Sequence, residues 1–174
     1  MQTSNPLSRL LAIPAVDRTR RNHGLEHATI TLLSQKYRGV SLVGRSTPNG
    51  FYLYGDIGTD AVVEAAQSAL ARMRAGERHL AIHPNCGTNF VTAGVAAALA
   101  AFLGFLGARN WRDRAERLPI VAAFATLALI LAQPLGLTLQ RDVTTSGDMG
   151  ALEIVSVERR MQGGLLAHVV TTRG

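Results

Sequence analysis

The sequence predicts an α+β fold: a small mixed or antiparallel sheet with two helices, in the order α-β-β-α-β and then β-β, interrupted by a transmembrane helical hairpin. Three observations predict it. Residues 91–108 and 118–140 carry no charge, in a chain that is 47% hydrophobic and only 17% charged. An Asn49-Gly50 pair stands between two apolar runs, which is the strongest short-range hairpin signal. Two other stretches carry apolar side chains at helical spacing and end at glycine.

The elements follow in order. Residues 1–16 read as a loose or interfacial lead, with Leu7, Leu10, Leu11 and Ile13 able to lie on a surface. The first part of the α/β domain, 17–90, begins with a helix capped by Asp17 or Asn22, running to about Tyr37 and stopped at Gly39. Residues 40–46 and 51–57 read as strands around Pro48-Asn49-Gly50. Thr59 or Asp60 caps a second helix to about Ala75, with Val62, Ala66, Leu70 and Met73 in one stripe and Gly76 as the stop. Residues 78–83 read as a short strand.

The hairpin occupies 91–140, with spans at about 91–108 and 118–139. Each is long enough for a ~30 Å hydrocarbon core at ~1.5 Å per residue. The first is rich in Ala and Gly, which suits close packing against a neighbouring helix. The second has Pro119 in its first turn and a predicted kink at Pro134. Residues 109–117, RNWRDRAER, join them, and Trp111 suits an interfacial anchor. A helical hairpin buried in a soluble core is the competing reading; an Arg-studded loop between two such runs favours the membrane. The C-terminal part, 141–174, supplies strands at 152–158 and 165–172 around Met161-Gln162-Gly163-Gly164, completing the sheet.

The formal net charge of +6 raises the question of nucleic acid. The 18 basic residues are dispersed, however, aromatics make up 5% of the chain, and no nucleic-acid motif occurs. No nucleic-acid partner is expected, and the lipid bilayer is. The arginines at 109, 112, 114 and 117 would place the interhelical link in the cytoplasm by the positive-inside rule. Against that, ten Lys/Arg precede the first span and no secretory signal is evident at the start. The expectation is a multi-pass protein of the bacterial inner membrane with a cytoplasmic soluble domain. A single cysteine excludes an intrachain disulfide.

Chemistry concentrates in two places. His23-Gly24-Leu25-Glu26-His27 spells H-x-x-E-H on a helix, where residues i and i+4 share a face. His23 and His27 can therefore grip one metal ion, with Glu26 about a quarter-turn away. The second place is His83-Pro84-Asn85-Cys86-Gly87-Thr88-Asn89, just before the first span. There Thr88 or Asn89 can cap the helix, and Cys86 sits near a helix N-terminus that favours its thiolate. Together they suggest a zinc site, or one for another transition metal, on His23, His27 and His83 or Cys86. With three protein ligands a water completes the site and Glu26 acts as general base; with both His83 and Cys86 the site closes and is structural. Sequence leaves that choice open.

Blander readings stand beside these. An i,i+4 His pair can cover a hydrogen-bonded helix face, and Glu26 can be an exposed acid pairing with an arginine. His79 reads as solvated. His168 would complete the site only if its strand were adjacent, and Asp56 and Asp60 read as turn and cap residues. A Cys86 nucleophile with His83 or His27 as base ranks last.

HGLEH resembles the signature of the inverzincin zinc peptidases, which implies zinc on His23 and His27 with Glu26 as base, and membrane proteins or peptides as substrates. The distal glutamate ligand of that family would fall in the first apolar run, which holds none, so His83 or Cys86 must stand in. The wider pattern of HGLEHATITLL, GERHLAIHPNCGTN and two spans, over roughly residues 20–172, resembles a family of uncharacterised bacterial membrane proteins found in cyanobacteria and Chloroflexota. That likeness implies a membrane protein and no particular chemistry. Two functions follow as expectations: a metal-dependent hydrolase or peptidase near the bilayer, or a non-catalytic membrane module in which the cluster is structural or binds metal without turnover.

Overall fold

A computed structural model describes residues 5–174. The chain forms two compact units: an α/β unit from the residues up to His83 together with Arg141–Gly174, and a helical unit, Pro84–Gln140. Of the expected N-terminal lead, residues 1–4 lie outside the described residues.

The α/β unit opens with α1 (Pro6–Leu11) and α2 (Pro14–Lys36), then the hairpin β1 (Val43–Thr47) and β2 (Gly50–Tyr54), α3 (Thr59–Arg74) and a 3-10 turn (Arg78–Ala81). It closes with β3 (Glu153–Gln162) and β4 (Leu165–Arg173). All four strands form one antiparallel sheet in the order β1-β2-β4-β3. The C-terminal hairpin thus completes a sheet begun more than a hundred residues earlier, with Phe51 opposite Val170 and Leu53 opposite His168.

One face of this sheet meets the helices. Phe51, Leu53 and Val170 join Leu25, Ala28 and Leu33 of α2 and Val62, Ala69 and Met73 of α3 in a single apolar core. Helix α2 is the central element, buried along nearly all of its length from Asn22 to Ile30. A polar side chain in such a helix costs about 1–3 kcal/mol unless it finds a partner. Asn22 finds two: its amide donates to the Thr47 carbonyl at 2.9 Å and its oxygen accepts from the Thr172 hydroxyl at 2.7 Å. The Thr29 hydroxyl donates back to the Leu25 carbonyl at 2.7 Å.

Several local expectations are corrected. Helix α2 starts at Pro14 in its first turn, so Asp17 lies inside that turn and Asn22 is a buried bridge between strands rather than a cap. Gly58, not Thr59 or Asp60, precedes α3. Residues 78–83 form no strand. Leu80 and Ala81 are neighbours and both are buried, a pattern that a strand's alternating faces cannot give and a tight turn can. The hairpin turn falls at Pro48-Asn49, with Gly50 already in β2.

The helical unit is α4 (Gly87–Phe105) and α5 (Trp111–Leu139), and α5 runs on through a π-helical turn, Gln140–Thr144. Helix α5 takes in most of the expected link, because Asn110 caps it by accepting from the Asp113 amide at 2.9 Å. Thr88 and Asn89 lie within the first turn of α4 instead of capping it; the cap position is Cys86. A Cβ at Gly104 would come 2.7 Å from a Val121 methyl, so the small residue is what lets the two helices approach. Both helices are long and apolar enough to cross a membrane. Their large apolar side chains, among them Phe90, Leu99, Phe102, Phe124 and Leu131, are half or more exposed, and α4 has no buried residue. A hairpin serving as a soluble core would hide these side chains.

Candidate metal centre

Each letter of HGLEH has a distinct place. His23 and His27 project from one face of α2, their ring centroids 4.3 Å apart with the planes inclined at 61°. Nδ1 of His23 lies 2.9 Å from the Thr144 carbonyl, and Nδ1 of His27 lies 2.8 Å from the Ala81 carbonyl. A carbonyl oxygen can only accept, so in both rings Nδ1 carries the proton and donates. In the neutral imidazole that leaves the lone pair on Nε2. Histidines that ligate metals are oriented in this way, by a carbonyl or carboxylate on the other nitrogen.

Gly24 is required by close approach. A side chain there would overlap the Ser146 carbonyl and press on the Ala81 Cβ at 3.2 Å. Leu25 is fully buried in the core. Glu26 is only 4% exposed, which overturns its reading as an exposed acid. It accepts a short hydrogen bond from the Ser46 hydroxyl on β1, and a Cβ at Gly44 would overlap its carboxylate. The carboxylate is thus fitted against the β1 hairpin.

His83 is drawn toward the pair, its ring centroid 5.7 Å from that of His27. Cys86 follows three residues later and is buried. The two imidazoles of α2, with the His83 ring beside them, form a histidine group with the donor chemistry of a transition-metal site.

The remaining histidines stay apart from the group. His79 is exposed in the 3-10 turn, as read. His168 lies on β4, paired with Leu53 and Arg159, at 1% exposure, and neither ring nitrogen has a hydrogen-bond partner among the described residues. Asp56 and Asp60 are exposed.

Sequence reasoning missed the supports. The Thr144 and Ala81 carbonyls leave no mark on residue type, and Ser46 and Gly44 sit in a strand that nothing tied to the helix. Gly24 was a legible signal: glycine in a helix interior costs about 1 kcal/mol relative to alanine and calls for a packing reason.

Fold and site together define a small α+β protein with two membrane-length helices and a group of three histidines, His23, His27 and His83. The chain belongs to the family described as a domain of unknown function, DUF6391, whose model matches residues 18–157. It is similar to an uncharacterised protein of the cyanobacterium Picosynechococcus sp. (strain PCC 7002), 30% identical over 188 residues that cover 99% of this chain and 89% of the relative. No solved structure matches the chain. The likeness of HGLEH to the zinc-peptidase signature is unsupported here, since neither description names a peptidase.

Proposed function

We propose that this protein is a membrane-anchored binder of a divalent transition metal, with His23, His27 and His83 as ligands. The observation that carries the reading is the pair of backbone carbonyls on Nδ1 of His23 and His27, which fixes the ligating tautomer in both rings. Both bonds fall on Nδ1, so the two rings offer the same nitrogen, Nε2, to a metal. Three imidazoles suit a transition metal such as zinc and leave a further coordination position for water. The two exposed apolar helices support insertion in a bilayer.

Elemental analysis of the purified full chain tests this. The expected result is about one equivalent of metal, lost in His27→Ala and in His83→Ala. Less than stoichiometric metal, unaltered by either substitution, would sink the reading.

A hydrolytic reading shares the same metal and rests on the H-x-x-E-H spacing, which puts Glu26 in the same helical turn as both histidines. Its substrates would be membrane proteins or peptides. Glu26→Gln separates the two readings: loss of peptide turnover with metal retained supports the base, whereas turnover that survives the substitution removes it.

A further inference from the structure

A second site lies in the α/β unit. Arg20, Arg78, His79, Arg141 and the segment Thr145–Asp148 enclose a cleft of about 470 Å³. Three guanidinium groups stand against one lining carboxylate, Asp148, and that carboxylate is engaged in its own loop by the Gly150 amide at 3.0 Å.

The three arginines differ in what they do. Arg20 builds the wall: its Nε donates to the Val143 carbonyl at 2.7 Å, and its Nη2 to the Asp142 and Thr145 carbonyls, each at 3.1 Å. Arg78 has no hydrogen-bond or ion-pair partner among the described residues, while its backbone is packed so closely on Gly147 that a Cβ there would come 2.7 Å from the Arg78 Cβ. Its root is therefore fixed and its charge is uncommitted. Arg141 turns its guanidinium edge to Asp142, at 2.7 and 3.1 Å, in a solvent-exposed pair of the kind that contributes little and exchanges readily. Planar forks of donors lining one cleft are the groups that recognise phosphate oxygens.

Position narrows the source. Arg141 comes two residues after α5 ends at Leu139, and α5 is of membrane length. If α5 spans, chain continuity alone brings Arg141 to headgroup depth, where basic side chains beside a helix end bind anionic lipids. We infer that this cleft binds a phosphate monoester or diester group, held between Arg78 and Arg141. The cleft also shares its wall with the metal centre. Ala81 lines it while its carbonyl orients His27, and Thr145 lines it next to the Thr144 carbonyl that orients His23.

The experiment uses full-length protein in zwitterionic nanodiscs, with two probes: inorganic phosphate, and phosphatidic acid or phosphatidylglycerol incorporated in the disc. Binding is read by native mass spectrometry and calorimetry for wild type, for Arg78→Gln/Arg141→Gln, and for the charge-matched Arg38→Gln/Arg45→Gln on exposed positions elsewhere. The expected result is a loss of about tenfold or more in affinity in the cleft variant and little change in the control, the scale of one or two charge-assisted hydrogen bonds. Binding of lipid alone assigns the phosphate to a headgroup, and binding of inorganic phosphate assigns it to a soluble ligand. Binding of neither probe, or equal loss in both variants, overturns the site. Metal content is measured on the same samples and is independent of this outcome, so failure of the cleft is distinct from failure of the metal centre.

Discussion

Helix α2 and strand β4 bury imidazoles in opposite ways. In α2, His23 and His27 each have Nδ1 held by a backbone carbonyl, which leaves Nε2 as a directed lone pair. In β4, His168 is buried like His27, whereas His23 is only partly so, yet neither His168 nitrogen has a partner among the described residues. Burial alone therefore says nothing about function. What separates a ligand from a core residue is whether the rest of the fold has spent a polar group to orient the ring. The α2 pair is oriented twice over, and His168 fills space among Leu53, Val170 and the helices at the cost of its unmet hydrogen bonds.

The largest expected effect tests that contrast directly. His27→Ala removes a ligand and should weaken metal binding by more than about 100-fold, beyond the 10–100-fold expected from losing an outer-shell partner. His168→Leu should leave metal affinity unchanged. Competition with a chromogenic chelator measures both. Equal losses in the two variants would abolish the distinction between the two regions.

Much of this was legible from residues, and the limits have physical causes. The spacing of His23 and His27 is a property of the helix itself, so their shared face could be read directly. The apolar helices were legible because their length and lack of charge are local. The 3-10 turn at Arg78–Ala81 was not legible: its apolar residues suit a strand, and only a sheet filled by four other strands decides otherwise. Nor was Glu26's place against Ser46, which depends on how β1 crosses α2. Thr144 and Ala81 act through carbonyls that every residue has, so no pattern of side chains could single them out.

A smaller effect sharpens the α2 side. Gly24→Ala keeps both ligands but forces a methyl against the Ser146 carbonyl, which is backbone and cannot swing aside. The helix must shift, and with it the register between its histidines and their carbonyls. The cost should be about 1–3 kcal/mol of stability, the usual scale of overpacking, as read in chemical denaturation. Metal affinity should fall as well, by less than in His27→Ala. A variant with wild-type stability would mean that the helix does not sit where the Ser146 contact requires.

The smallest effect tests the β4 side, through pH. Burial, with the Arg159 charge adding to it, holds the His168 pKa below its ordinary value of 6.5. The unfolded chain therefore takes up the proton first as pH falls. The stability that the neutral ring contributes is full above about 6.5 and is lost as pH drops through the lower folded value. Wild-type protein should thus lose stability on acidification from pH 7 toward 5. His168→Leu, similar in volume and with no polar atoms to satisfy, should lose less over the same interval. It should also be more stable at pH 7 by about 1 kcal/mol, since an unpaired buried polar group is replaced by an apolar one. Denaturant titrations of metal-free protein at both pH values make the comparison, with ligand titration removed from view. Parallel pH dependence in the two proteins would show that His168 meets water or a partner on folding. The imidazole of β4 would then be as well served as those of α2.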